Sequence, residues 1–144
     1  MIFFEMVHNG EPRTKSNALF ATFKKGRRNN KCRFFVPGDI KAYEEGLTEH
    51  AQEVMGKRSP TSKLVRMTIH YYYKAKRRKD IQNLAKTQCD ALNKVVYEDD
   101  SQIHEICQFK HWDKTNPRVH IVIEEMSDSH WESKEKPKKK KTRP

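Results

Sequence analysis

Missing from this 144-residue chain are long apolar runs, paired thiols and regularly spaced histidine ligands. No stretch approaches the roughly 20 apolar residues that span a bilayer. The opening MIFFEMVHNGEP is apolar only briefly and lacks the basic start of a secretory leader, so an intracellular, soluble protein is expected. Cys32, Cys89 and Cys107 are odd in number and have no metal-ligand spacing. Two of them stand in apolar-rich stretches, as reduced core thiols do. The seven histidines form no HxxxH or similar pair, which argues against zinc.

Negative charge is also scarce. Thirty Lys+Arg face 19 Asp+Glu, a net charge of +11. Residues 127–144 end in SKEKPKKKKTRP, with no apolar residue to offset the entropy of ordering, so they are expected to form a disordered basic tail. That tail accounts for +4, and residues 1–126 keep +7. The folded part is a normal size for one domain with a modest core. Its excess charge favours a polyanion, and duplex DNA is the densest polyanion in a cell. Solubility alone, or a ribosomal setting, is the plain alternative.

Hydropathy patterning divides the body. Ile2 to Val7 reads as a strand, followed by a Gly10/Pro12 loop, and Leu19 to Phe23 extends as a second strand. KKGRRNNKCR then packs six cations around Gly26 as an exposed hairpin tip or loop, with Phe34 to Val36 β-prone beyond it. Asp39 stands as the N-cap of a helix from about Ile40 to Met55, with one apolar stripe at Ile40, Tyr43, Leu47, Ala51 and Val54. Leu64 to Tyr73 alternates as a strand with one buried face. Asp80 to Val95 is a second helix. Ile103 to Phe109 and Arg118 to Ile123 are strands joined as a hairpin through KHWDKTNP. Strand, helix and strand over 64–109 have the length of a right-handed crossover, which makes the two strands parallel neighbours. The expected fold class is α+β: a single domain whose mixed sheet carries two helices.

Chemistry concentrates in KRRKDIQNLAKTQCDALNKVVYEDDSQI, residues 76–103. At 100° per residue, Ile81, Leu84, Ala85, Leu92 and Val95 share an arc of about 100°, the core stripe. Asp80, Asn83, Lys86, Thr87 and Asp90 fall on a separate polar arc, with Gln82 just outside it. Singly, each has an ordinary explanation. Asp80 suits an N-cap, Lys86 and Asp90 suit an i,i+4 pair, and Glu98-Asp99-Asp100-Ser101 suits a turn. Together they bring carboxylates from the helix start and the following turn toward one sheet end. Two carboxylates about 4 Å apart repel by roughly 4 kcal/mol at an effective dielectric of 20. A divalent cation relieves that repulsion, and oxygen-only ligands select magnesium or manganese.

This segment resembles the signature of RusA-type crossover junction endonucleases: basic residues, D-x-D-N-x-x-K, D-A-L a turn later, and D-D-[SA]-Q leading into a strand. The match falls at Asp80, Asn83, Lys86, Asp90-Ala91-Leu92 and Asp99-Asp100-Ser101-Gln102. The resemblance runs in outline over residues 1–125. It implies a homodimeric resolvase that cuts four-way DNA junctions by paired symmetric nicks in recombination and repair, cytoplasmic and nucleoid-associated or virus-encoded. It also implies Asp80 and Asp100 as metal ligands, with Asp99 an alternative one. Lys86 would stabilise charge on the scissile phosphate, Asn83 would hold the carboxylates and Asp90 would orient Lys86. No organic cofactor is implied. Gln82 departs from the pattern by replacing an aspartate. Three explanations stand: variation with Asp99 or Glu98 filling in, a diverged or inactive junction binder, or a subgroup that does not need the position.

Two basic clusters flank this site in sequence and are expected to hold phosphates: Lys24, Lys25, Arg27, Arg28, Lys31 and Arg33, then Lys74, Lys76, Arg77, Arg78 and Lys79. Of Tyr71, Tyr72 and Tyr73, at least one must face outward, where it could stack on an unpaired base. An RNA-binding protein with an incidental acidic turn is the third functional class left open.

Overall fold

A computed structural model describes residues 1–13, 20–25, 30–35, 38–76 and 81–127. For 20–25, 30–35, Gln82 and Asn83 only the backbone is described. The basic tail beyond Ser127, the hairpin tip 26–29 and residues 77–80 lie outside the described residues.

Six strands and two helices follow one another as β1 (Ile2–Asn9), β2 (Phe20–Lys25), β3 (Asn30–Phe35), α1 (Gly38–Met55), β4 (Val65–Tyr73), α2 (Ile81–Leu92), β5 (Ile103–Trp112) and β6 (Arg118–Glu125). β2 and β3 pair antiparallel as a hairpin around the cationic run. The other four strands form one mixed sheet in the order β1-β6-β4-β5.

Alternation along β4 decides which side is filled. Val65, Met67, Ile69, Tyr71 and Tyr73 are buried, and the residues between them are half-buried. Phe4 and Met6 of β1 and Val119, Ile121 and Ile123 of β6 join the same core. α1 covers this layer with Leu47, Ala51 and Met55, and α2 covers it with Leu84, Ala85, Ala91 and Leu92. Fully burying one such leucine or isoleucine contributes about 1.5–3 kcal/mol, so this one layer dominates the stability. The helices are tied to each other by the Thr48 hydroxyl, which donates to the Ala91 carbonyl at 2.9 Å, and by the Tyr43 hydroxyl, which donates to Gln88 Oε1 at 3.2 Å. Among the described residues no helix is long and apolar enough to cross a membrane.

The mixed sheet with two helices is therefore as expected, and β4 and β5 are parallel, Met67 opposite Ile106. Several details differ. β5 and β6 do not form a hairpin, because β4 lies between them. Pairing with β6 buries β4 on both flanks, which the apolar alternation of β4 rewards more than the largely exposed β5 does. Asp39 is not the residue that precedes α1: the helix begins at Gly38, and the Asp39 carboxylate pairs instead with Arg13 at 2.7 Å. In α1 it is Met55 that is buried, while Val54 stays 37% exposed. α2 stops at Leu92 rather than Val95, because Lys94 takes a left-handed φ of 65° and the chain turns to bury Val96 and Tyr97. Tyr97 closes that turn by donating its hydroxyl to the Cys89 carbonyl. Thr87, placed on the polar arc by its angle, is fully buried, as is Gln88. Cys89 is buried but Cys107 is exposed, so only one of these two thiols belongs to the core.

The other face of the sheet is open and aromatic. His70 stacks on Phe109 and His111 at centroid distances of 4.9 and 5.1 Å, and its Nδ1 lies 2.9 Å from His111 Nε2. Tyr72 is the outward tyrosine, and it is already covered: the Arg118 guanidinium sits 3.7 Å from its ring centroid, and His111 stacks on it.

Candidate active site

The crossover from β4 through α2 to β5 positions the acidic residues. After α2 the chain turns through Lys94 and reaches Asp99, Asp100 and a single 3-10 turn, Asp100–Gln102, from which β5 departs. Gln102 pins this turn. Its Oε1 accepts the Asp99 backbone N–H at 2.7 Å, and its Nε2 donates to the carbonyls of Thr61 at 2.7 Å and Lys63 at 2.9 Å. The glutamine of the D-D-S-Q run thus clamps the acidic turn to the loop entering β4. Composition offers no signal for this, because the partners are backbone atoms about forty residues away.

Three carboxylates act on one another here. Asp99 is held below the usual carboxylate range by hydrogen bonds from the Ser101 hydroxyl, at 3.0 Å, and from Asp100. Asp100 is pushed up by its hydrogen bond with Asp99 and by the charges of Asp99 and Asp90. The opposite directions are those of two neighbouring carboxylates that titrate as a pair. Both are exposed. Lys86, also exposed, lies one turn before Asp90 on α2.

The donor set is all oxygen, which suits a hard cation such as magnesium rather than zinc. It is also incomplete. Among the described residues no three His, Cys, Asp or Glu side chains are arranged to hold a metal ion. Topology also separates the two ends of α2. α2 runs back from the exit of β4 to the entry of β5, and its twelve residues span about 18 Å at 1.5 Å per residue. Ile81, the covalent neighbour of Asp80, therefore stands at the opposite end of the sheet from Asp99 and Asp100. Within a single chain the backbone of Ile81 and the acidic turn therefore stand at different sheet ends, and the expectation for the Asp80 carboxylate falls outside the described residues. Asp80 itself lies outside the described residues, as do the side chains of Gln82 and Asn83.

Of the proposed phosphate-holding residues, Lys74 and Lys76 are described. Both are exposed at the exit of β4, the end where α2 begins. Trp112 organises this end, donating its indole N–H to the Lys74 carbonyl at 2.9 Å and lying under the Lys76 ammonium, 5.0 Å from ring centroid to Nζ. Sequence reading missed Trp112, since only the parallel register opposite Tyr73 brings it there. Arg77, Arg78, Lys79, Arg27 and Arg28 lie outside the described residues, as do the side chains of Lys24, Lys25, Lys31 and Arg33.

A family model described as endodeoxyribonuclease RusA matches residues 9–124. The chain belongs to the RusA family. That match spans every element from the end of β1 to β6, so the RusA nuclease family covers both the sheet and the acidic turn. No curated protein matches the chain. Within this RusA-family chain, Asp90, Asp99, Asp100 and the Gln102 clamp form one cluster, and Lys74, Lys76 and the start of α2 form another.

Proposed function

We propose that this chain cuts four-way DNA junctions as a magnesium-dependent homodimer, placing paired symmetric nicks in opposed strands during recombination and repair. The observation that carries the reading is the all-oxygen turn of Asp99 and Asp100 beside Asp90, held by Gln102 inside a chain of net charge +11. Such a protein attracts a nucleic-acid backbone everywhere except where its carboxylates would repel it, and a bound cation removes that repulsion.

Asp80 and Asp100 would hold the metal, with Asp99 beside them, and manganese would serve as well as magnesium. When bound, the ion supplies Lewis-acid polarisation of a phosphodiester and a lowered pKa for a water ligand. Lys86 projects from α2 and would stabilise negative charge on the scissile phosphate. Asp90, one turn on, orients Lys86, and Asn83 supports the carboxylates. Gln82 offers an amide oxygen without charge, so the acidic turn carries the greater share of the attraction for the cation. The lysines at 74 and 76 hold the backbone, together with Arg77, Arg78 and Lys79 and the cations of the β2–β3 hairpin.

The length of α2 supports the reading as a homodimer. The twelve residues of α2 span about 18 Å, and in the dimer a second copy would bring its acidic turn to the first copy's helix start. Mixing variants tests this. Asp80→Asn and Asp100→Asn should each abolish magnesium-dependent cutting of a labelled four-way junction. Mixed dimers should regain it, because one of their two composite sites has both aspartates. If both aspartates served a site within one chain, mixing would restore nothing. Junction retention without cutting by the unaltered protein points instead to a branched-DNA binder in which Gln82 has cost activity. No preference over linear duplex or RNA would overturn the reading.

A further inference from the structure

We propose that Trp112 is a stacking platform for one unpaired DNA base, with Lys74 and Lys76 beside it to take that nucleotide's phosphate. The inference rests on the DNA-binding part of the reading above and needs no metal ion.

Register places the ring. Trp112 is the last residue of β5, and its partner on β4 is Tyr73. Tyr73 belongs to the core layer that the helices cover, so Trp112 stands on the helix side of the sheet. The helices stop short of it, leaving it 55% exposed. Its position is nonetheless fixed. The indole N–H donates to the Lys74 carbonyl at 2.9 Å. The next residue, Asp113, donates its backbone N–H to the Tyr73 carbonyl at 2.8 Å. The Asp113 carboxylate accepts from the N–H groups of Thr115 and Asn116 and from Arg118. An exposed ring held on so constrained a backbone loses little freedom when another ring lies on it.

An indole kept only to satisfy the Lys74 carbonyl would use its edge alone. Here a face is in use as well, with Lys76 Nζ 5.0 Å from the ring centroid. A cation over an exposed ring is a weak contact, about 2–5-fold in an equilibrium. A base stacked on an aromatic ring strengthens binding about 5–150-fold. The exchange of one for the other is therefore favourable once a phosphate is at hand. The ammonium moves to the phosphate, and the indole face passes to the base. A nucleotide supplies both partners, joined through a single sugar. Lys74, exposed on the same stretch, adds a second cation.

The same physics selects the kind of DNA. Inside a duplex each base is covered on both faces by its neighbours. An indole reaches a base face only where that stacking is interrupted, at a branch point or in a single strand. Every base has such a face, so Trp112 reads interrupted stacking rather than sequence. The rings on the open side of the sheet do not compete for this role. Tyr72 is covered by Arg118 and His111, and His70 and Phe109 lie against each other.

Fluorescence tests this, because the chain has only two tryptophans. In a Trp131→Phe background Trp112 is the sole indole. With EDTA present and at low salt, a four-way junction and a single-stranded oligonucleotide should each quench its emission, while a long linear duplex should bind without quenching. Trp112→Leu should weaken junction binding about 5–150-fold and leave its salt dependence unchanged. Lys76→Met should lower the salt slope by about 1. Trp112→Phe separates stacking from structure: it keeps a ring and loses the donor to Lys74, so it should bind the junction nearly as the unaltered protein does. Junction binding without quenching overturns the proposal, as does equal quenching by the duplex. So does a Trp112→Phe variant as weak as Trp112→Leu, or an unaltered salt slope in Lys76→Met. Should the Trp112 variants fail to fold, the quenching comparison decides. A protein that binds neither junction nor single strand rejects this proposal together with the nuclease reading. Quenching by the junction with no magnesium-dependent cutting keeps the platform and rejects the nuclease reading.

Discussion

Lys86 is the most exposed test of the chemistry at the scale of single residues. It stands on the solvent side of α2, and no buried group depends on it. Replacing it with methionine keeps helix propensity and most of the aliphatic stem. Junction cutting by Lys86→Met should fall about 10²–10³-fold, the range for removing one group that stabilises transition-state charge, while the melting temperature stays put. A parallel loss of stability would show that the lysine is structural. His70 offers a second test. Burial within its aromatic stack, then the neighbouring charges of His111 and His120, lower its pKa from the usual value near 6.5. A lowered pKa means that the unfolded chain takes up the proton first as the pH falls. Stability should therefore hold above about pH 6.5 and decline below it, until His70 also protonates in the folded state. His70→Gln should flatten that decline in a thermal-denaturation series from pH 7.5 to about 5.

Elements show how far local pattern carries. The alternation of β4 and the stripe of α2 each identify a buried face, and Leu84 sits where the two meet, fully buried. Leu84→Ala removes three heavy atoms from beneath the helix that carries both Lys86 and Asp90. It should cost about 2–5 kcal/mol in urea denaturation, and a smaller loss would mean that α2 can settle onto the sheet. Where the pattern misled, a neighbour in space had overridden it. Thr87 and Gln88 are buried despite their polarity, and the Gln88 amide is satisfied by Tyr43 of α1 and by the Leu84 carbonyl. α2 ends a turn early because Val96 and Tyr97 gain more from the core than from continuing a helix. No propensity scale contains that comparison.

At the scale of the whole molecule, charge is the governing quantity. A chain of +11 that contacts phosphates through six to ten of its cations should lose about 10³–10⁵ in DNA affinity between 50 and 200 mM salt. A plot of log affinity against log salt for a four-way junction measures this directly. A slope near zero would assign the positive charge to solubility alone. The open sheet face does not share the basic character. Arg66 is paired with Glu105 and Glu124, and Arg118 with Asp113, so these two cations of that face are neutralised by carboxylates.

By itself, the order of residues determined the class of fold, the parallel β4–α2–β5 crossover and the family. These depend on spacing along the chain, which periodicity and motif report directly. Tertiary structure alone decided that β4 separates β5 from β6, that Gln102 clamps the acidic turn, and that Ile81 and that turn stand at opposite ends of α2. Residues 81 and 100 are close in sequence, but a rigid helix lies between them, and a helix converts sequence separation into distance rather than contact.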